Sequence, residues 1–123
     1  MEINRNNLII NRIISKREGI SYLIKTADII CIKKAATKTI CIDKNGVEHP
    51  IKQPLSRLYS RLDKQLFFKT SRAFLLNLNY MEKFFVDSEN HIRVILKKNN
   101  SINQHIIRGP NTIKFKQWLK KNY

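Results

Sequence analysis

Apolar and polar residues alternate along much of the first half of the chain, a pattern typical of β-strands that bury one face. The stretch Ile20–Lys25 (ISYLIK) alternates in this way, and a branched apolar stretch, residues 8–15 (LIINRIIS), precedes it across a KREG turn. Residues 29–33 and 39–43 are rich in Ile and Cys and flank a short loop at residues 34–38 (KAATK). These four apolar stretches are predicted to be strands.

An Asn45-Gly46 pair marks the next turn, because this dipeptide readily adopts the positive φ angles that tight hairpins require. It predicts a hairpin between residues 39–43 and 47–52. Three stretches in the second half have the branched composition of further strands: residues 83–87, 91–96 and 101–107. A turn at Ser88-Glu89-Asn90 is predicted to join the first two of them.

Two stretches have the spacing of an amphipathic helix instead. The first has Pro54 in its first turn, where the missing N–H costs little. Its apolar residues recur at i, i+3, i+4 and i+7: Leu55, Leu58, Tyr59 and Leu62. The second covers residues 112–121, with Asn111 as a candidate cap. Its candidate inward residues are Ile113, Phe115, Trp118 and Leu119. The pattern predicts a mainly β protein with one short internal helix and a carboxyl-terminal helix.

Cations interrupt the most apolar segment, residues 67–84 (FFKTSRAFLLNLNYMEKF). Lys69, Ser71 and Arg72 stand inside it, and burying a charge without a partner is costly. We therefore expect these side chains to reach solvent or to face a negatively charged partner. The aromatic residues of this region are predicted to be core: Phe67, Phe68, Phe74, Phe84 and Phe85.

The net charge of the chain indicates the chemical class of that partner. The 123 residues, a length that fits one domain, include 24 Lys and Arg but 9 Asp and Glu, so the formal charge is +15. The cations are spread along the chain rather than confined to a tail, which indicates a folded basic surface. Self-repulsion of this size destabilises a compact chain, and a polyanionic partner, most often a nucleic acid, offsets it.

The two cysteines, Cys31 and Cys41, lie in apolar strand-like stretches. We predict buried, reduced thiols in a cytoplasmic protein; a hairpin of the two stretches would alternatively make the thiols neighbours. The first residues have no secretory pattern, and no apolar stretch is long enough to span a membrane.

Residues that could carry catalysis are scattered. No pair of acidic residues has a telling spacing, and His49, His91 and His105 lie in separate segments. A Gly-rich phosphate loop and a nucleophile elbow are both missing. The sequence therefore predicts no catalytic site, metal or cofactor, and each His is expected to be an ordinary polar surface residue.

Three segments have the chemistry of nucleic-acid contact: residues 33–38 (KKAATK), 68–74 (FKTSRAF) and 106–111 (IIRGPN). Each places Lys or Arg with small polar residues at a break between apolar stretches. Long cations at strand ends can reach phosphates, and Arg can pair with guanine through two hydrogen bonds. Together the segments predict a nucleic-acid-binding surface.

The order of these segments resembles the LytTR DNA-binding domain, the output domain of many bacterial response regulators. The resemblance rests on DIICI at residues 28–32, the basic loop and hairpin, the helix at residues 55–62, the signature at residues 67–81 (FFKTSRAFLLNLNYM) and a late Arg108. It covers about residues 20–119, most of the chain.

The resemblance implies an elongated fold of small antiparallel β-sheets whose loops enter successive major grooves of promoter DNA. By analogy the DNA-binding residues are Thr37 and Lys38 in the first loop, Lys69, Ser71 and Arg72 in the second, and Arg108 in the third. Arg72 and Arg108 are then expected to contact bases, and Lys38 and Lys69 phosphates. The second-loop residues are expected where the chain enters a short helical segment, and Asn77 is expected to satisfy backbone groups at a turn.

Departures from the family signature affect the expected specificity. Lys69 replaces an Arg, Ser71 a His, Ala73 a Ser and Ile107 another Ser. General DNA binding survives these changes better than a particular target sequence does. The resemblance implies a sequence-specific transcription regulator of a two-component system that binds paired direct repeats as two copies. The 123 residues, taken as a single domain, leave no room for a receiver domain, so a stand-alone regulator or an output domain is expected.

Two other classes of function remain open. A general basic module for RNA or another polyanion needs no sequence reading, and solvent-facing aromatic residues would favour it. An anionic membrane surface belongs to the same class. A small nuclease would need clustered carboxylates and a divalent metal.

Overall fold

The computed structural model describes residues 8–88, 90–99 and 102–122. Glu89 of the predicted turn, Ser101 of the last predicted strand and the amino-terminal residues 1–7 lie outside this part. The described residues form these elements in chain order: β1 (Arg12–Arg17), β2 (Ile20–Lys25), β3 (Ile29–Ala35), β4 (Lys38–Asp43), β5 (Glu48–Ile51), α1 (Leu55–Arg61), β6 (Phe67–Ser71), β7 (Phe74–Asn77), β8 (Met81–Ser88), β9 (His91–Leu96), β10 (Gln104–Arg108) and α2 (Asn111–Asn122).

The strands form three small antiparallel sheets, which confirms the predicted mainly β fold with two helices. β1 pairs with β2, a five-stranded sheet has the order β5-β4-β3-β7-β6, and a three-stranded sheet has the order β10-β9-β8. The predicted hairpin of β4 and β5 is present, and Gly46 takes a φ of 81° in its turn. The Asp43 carboxylate stabilises this turn by accepting hydrogen bonds from the backbone N–H groups of Asn45 and Val47.

The five-stranded sheet carries a hydrophobic core on each face. On one face, α1 and the β1–β2 hairpin cover Ile29, Ile32 and Cys41. On the other face, α2 and the three-stranded sheet cover Ile30 and Cys31. Because β3 is buried on both faces, its first four residues are all apolar and show no polar alternation.

The two thiols are free and buried, as predicted, and they belong to different cores on opposite faces of the sheet. Burial raises the pKa of both Cys31 and Cys41 to about 12, because a thiolate loses hydration in an apolar surrounding.

Three predicted core residues are exposed instead: Phe84 at 46%, Phe85 at 47% and Ile113 at 61%. The Phe residues lie on β8, whose faces are covered only in part. An edge position alone does not expose a side chain, because Phe68 on the edge strand β6 is buried against Phe115 and Trp118 of α2. Ile113 lies in the first turn of α2, which buries Phe115 and Leu119.

The ends of several predicted elements also shift. The first strand begins at Arg12 rather than at Leu8, which is exposed. β3 and β4 extend into the predicted loop and leave a tight turn at Ala36 and Thr37, with Ala36 at a φ of 57°. The extension shows that hydrogen bonds between the strands outweigh the polar character of these residues.

Candidate nucleic-acid interface

The interruption of the apolar segment coincides with the turn between β6 and β7. Phe67, Phe68 and Thr70 are buried, whereas Ser71 and Arg72 are exposed at the tip of the hairpin. A shift in the pairing register between Lys69 and Ser71 re-aims the strand just before this turn. The charged groups of this segment therefore reach solvent, and no unpaired charge is buried.

The turn leads into β7 and not, as expected, into a short helical segment. Leu75 and Leu76 pair with β3 in the middle of the five-stranded sheet, so they stay extended. A single 3₁₀ turn, Leu78–Tyr80, follows β7. Asn77 stabilises that turn as predicted: its side chain accepts a 2.8 Å hydrogen bond from Asn79 N–H and donates one of 2.7 Å to the Ile29 carbonyl.

The first and second predicted loops meet in space. Thr37 and Arg72 line one open hollow of about 300 Å³ together with Lys34, Lys52 and Gln53. The backbone ties the two loops together as well, because Lys34 N–H donates a 2.9 Å hydrogen bond to the Ala73 carbonyl.

A second hollow, of about 590 Å³, extends the surface to the other side of the β6–β7 turn. Lys69, Ser71 and Arg72 line it with Asn111 and Lys114 from the first turn of α2. Tyr59 of α1 contributes its ring, which lies 5.4 Å from the Lys69 Nζ. Sequence reasoning missed the α2 residues, although the amphipathic pattern of α2 already places Lys114 on a polar face.

Lys38 and Arg108 line neither hollow, and both are exposed. Lys38 directly follows Thr37 as the first residue of β4. Arg108 ends β10 two positions before Pro110, which lines the second hollow. The third predicted contact, Arg108, is therefore close in sequence to a residue that lines the second hollow, but Arg108 itself lines neither hollow.

The two hollows carry positive charge without nearby compensation. Their cationic residues are Lys34, Lys52, Lys69, Arg72 and Lys114, and their lining contains no Asp or Glu. The ion pairs found among the described residues involve other side chains: Lys33–Glu48, Lys44–Asp28, His49–Asp43 and Arg93–Asp87. We call these two hollows and their five cations the cationic surface.

A half-buried histidine, His105, supports this surface from behind. His105 of β10 stacks on Phe74, with ring centroids 4.0 Å apart and planes 9° apart. Its Nε2 and the Thr70 hydroxyl are hydrogen-bonded at 2.8 Å. Burial, with a further contribution from Arg108, lowers the pKa of His105 to about 4, so the ring is neutral at neutral pH. The expectation of a polar surface residue was wrong here.

His49 is buried, and its Nε2 is hydrogen-bonded to the Asp43 carboxylate at 2.8 Å. That pair braces the β4–β5 hairpin. Within residues 8–88, 90–99 and 102–122, no group of His, Cys, Asp and Glu could hold a metal ion. The same residues contain no helix that is long and apolar enough to cross a membrane.

The comparison with protein families identifies the fold. A family model described as the LytTr DNA-binding domain matches residues 20–107. The chain belongs to the LytTR family of DNA-binding domains. This match begins at β2, spans α1 and the β6–β7 turn and includes most of β10, so the sequence resemblance is confirmed.

A comparison with solved structures gives the same fold. One, described as the LytTr DNA-binding domain of a methyl-accepting/DNA response regulator from Bacillus cereus, superposes with a TM-score of 0.79 at 14% sequence identity. The match covers 89% of this chain and 97% of that one. No curated protein matches the chain significantly. LytTR is a family of DNA-binding domains and not of enzymes, so DNA binding by a transcription regulator is the activity that membership assigns.

Proposed function

We propose that this LytTR domain binds double-stranded promoter DNA in a sequence-specific way and inserts its turns into successive major grooves. The observation that carries the proposal is the convergence of two turns and the start of α2 on one cationic surface without an acidic residue. The unpaired cations of this cationic surface can neutralise the closely spaced phosphates of a duplex. Protruding hairpin tips of this size fit a major groove.

The roles within the surface follow from side-chain chemistry. Arg72 lies at the exposed tip and has the planar fork that pairs with guanine, so we assign it to base contact, with Arg108 as a second base contact. Lys69 and Lys38 supply point charges suited to phosphates. Thr37 and Ser71 offer short hydroxyl groups.

We also propose how many copies of the chain bind the DNA and where in the cell they act. Two copies bind direct repeats of a promoter, side by side on one face of the duplex, in the cytoplasm of a bacterial cell. The chain acts as one domain, either as a stand-alone regulator or as the output domain of a response regulator in a two-component system. No small-molecule substrate and no membrane take part.

A second candidate function, general polyanion binding without base reading, has one observation in its favour. The Ser71 hydroxyl already accepts a 3.2 Å hydrogen bond from Ala73 N–H within the turn, and Ala73 has no polar side chain. The tip then offers Arg72 as its one strong base-reading group.

The deciding experiment begins with selection of the protein against a random duplex pool at roughly physiological salt, where non-specific binding is weak. The dissociation constants of Arg72→Ala and Lys69→Ala are then measured on the selected site and on random duplex. Arg72→Ala is expected to cost about 1–3 kcal/mol on the selected site and to relax preference at one base pair, whereas Lys69→Ala weakens both duplexes alike.

Arg12→Ala is the matched control, because it removes one exposed Arg from β1 and lines neither hollow of the cationic surface. Equal losses on both duplexes from Arg72→Ala would contradict base reading by that residue. Strong retention of the pool without an enriched sequence would replace the proposal by general polyanion binding.

A further inference from the structure

The edge strand β8 has a run of apolar residues that are exposed to solvent. It pairs with β9 on one side, and no other strand of the described residues pairs with it. Seven of its eight residues are exposed, among them Phe84, Phe85 and Val86, the last at 60%. An exposed apolar edge strand presents unpaired backbone N–H and C=O groups, which are a template for another strand.

We propose that β8 pairs antiparallel with β8 of a second copy of this chain, centred on Phe85. The pairing joins two three-stranded sheets into one continuous sheet of six strands, with a two-fold axis through the Phe85 pair. The occupant of this edge is thus a second copy of the same chain and no other protein or nucleic acid.

The sequence of β8 is complementary to itself in this register. With Phe85 on the axis, Phe84 lies opposite the partner's Val86, and Lys83 lies opposite the partner's Asp87. Apolar residues then meet apolar residues, and each cation meets a carboxylate, which are the favourable cross-strand combinations.

The neighbouring registers lack this match. Centring the pairing on Phe84 places Lys83 opposite the partner's Phe85 and Glu82 opposite the partner's Val86. Centring it between Phe84 and Phe85 would pair residues that point to opposite faces of their strands, which antiparallel pairing does not allow. The match of apolar with apolar residues and of Lys83 with Asp87 therefore favours the register centred on Phe85.

The two faces of the strand support the same pairing. Asp87 is held by Arg93 of β9 through a 2.8 Å ion pair, so the partner's Lys83 would extend an existing ion pair into a network. On the opposite face, the Phe84 ring packs edge-on against Phe115 of α2, with centroids 5.3 Å apart.

The interface is short, because the β8–β9 register shifts between Met81 and Lys83 and again between Val86 and Ser88. Such shifts bend a strand, so regular pairing covers Lys83–Val86, and the Lys83–Asp87 ion pairs lie at its two ends, where Asp87 is the extra residue of the second shift. A dimer built on so few residues buries less than a standard stable interface, so we expect it to dissociate on dilution.

Pairing at β8 leaves the cationic surface open. β8 residues line neither of its hollows, and Arg108 lies on β10 at the opposite edge of the three-stranded sheet. A two-fold dimer presents its two cationic surfaces in opposite senses, whereas copies on direct repeats share one orientation. The β8 dimer is thus a separate association from the arrangement on direct repeats, and it does not depend on DNA binding.

Sedimentation equilibrium without DNA tests the pairing through a charge exchange. Lys83→Asp places Asp opposite the partner's Asp87, and Asp87→Lys places Lys opposite the partner's Lys83. Because each cross-strand pair occurs twice in a two-fold dimer, a dimer of either variant alone contains two like-charge pairs. In an equimolar mixture both positions again pair opposite charges. Lys25→Asp is the control, because it reverses one exposed charge on β2.

We expect the mass of the native chain and of Lys25→Asp to rise toward a dimer with concentration. Each β8 variant should dissociate about tenfold more readily, and the mixture should recover the native behaviour. A monomeric native chain at every concentration, or a mixture that stays as weak as its components, would overturn the proposal.

A second measurement on the native chain guards against a variant that fails to fold. Amide hydrogen exchange of residues 83–87 should slow as protein concentration rises, while the β1–β2 hairpin shows no change. Exchange at β8 that is independent of concentration would reject the pairing. Loss of RNA binding in Phe85→Ser, with no change in its association, would assign the exposed ring to base stacking instead and also overturn the proposal.

Discussion

Replacing His105 with Gln removes a titrating ring from behind the β6–β7 turn. The ring is neutral in the folded protein because its pKa is lowered to about 4 from an ordinary value of 6.5. Between these two values the unfolded chain binds a proton that the folded chain does not, so protons favour unfolding. His105 therefore contributes stability that is complete above pH 6.5 and is lost as the pH falls toward 4.

The size of this effect follows from the shift. One pKa unit corresponds to about 1.4 kcal/mol, so the full shift would be worth about 3 kcal/mol. Because the ring is partly exposed, solvent screens part of this free energy. We therefore expect the free energy of unfolding to fall by about 1–2 kcal/mol between about pH 7.5 and about pH 4.5. The repulsion between a protonated ring and Arg108 is one of the two causes of the lowered pKa and is already included in this figure.

Urea unfolding across this pH range, followed by circular dichroism, measures the effect. The His105→Gln variant is expected to be less stable than the native chain at pH 7.5, because it loses the stacking on Phe74, and to have a flatter pH dependence. Contributions of the other two His residues are common to both proteins and cancel in the comparison. Parallel pH profiles for the two proteins would refute the reasoning.

Two further predictions concern the core. Asn77→Ala should lower the free energy of unfolding by about 2–4 kcal/mol, since it leaves the Ile29 carbonyl and the Asn79 N–H without their partner; a loss below about 1 kcal/mol in urea unfolding would contradict this. Cys31 and Cys41, with pKa values raised to about 12, should react with a thiol reagent in urea but not in the native protein at mildly alkaline pH. Rapid labelling of the folded chain would show that one core opens readily.

Local patterns were sufficient for most elements. The alternation in ISYLIK predicted the bounds of β2, Ile20–Lys25, and the Asn-Gly pair predicted the β4–β5 hairpin. The helical spacing from Leu55 predicted α1. These features depend on neighbours within a few residues, which the sequence displays directly.

Burial of the aromatic residues could not be predicted in the same way. β3 and β8 are both rich in apolar residues, yet Ile30 is fully buried and Phe85 is half exposed. The difference comes from the layers around each strand, since β3 has a packed core on each face, whereas the faces of β8 are covered only in part. Which faces are covered depends on the packing of distant elements, which the local sequence does not show.

The sequence by itself determined the mainly β class, the Asn45-Gly46 turn, the excess of positive charge and the family signature around Arg72, because each is encoded in local spacing or composition. Tertiary structure decided which cations share a surface, joining Arg72 to Thr37 and to Lys114 of α2. It also made His105 a half-buried hydrogen-bond partner of Thr70, which lies 35 residues away in the chain. These outcomes rest on contacts between distant segments, whose geometry is set when the sheets and helices pack.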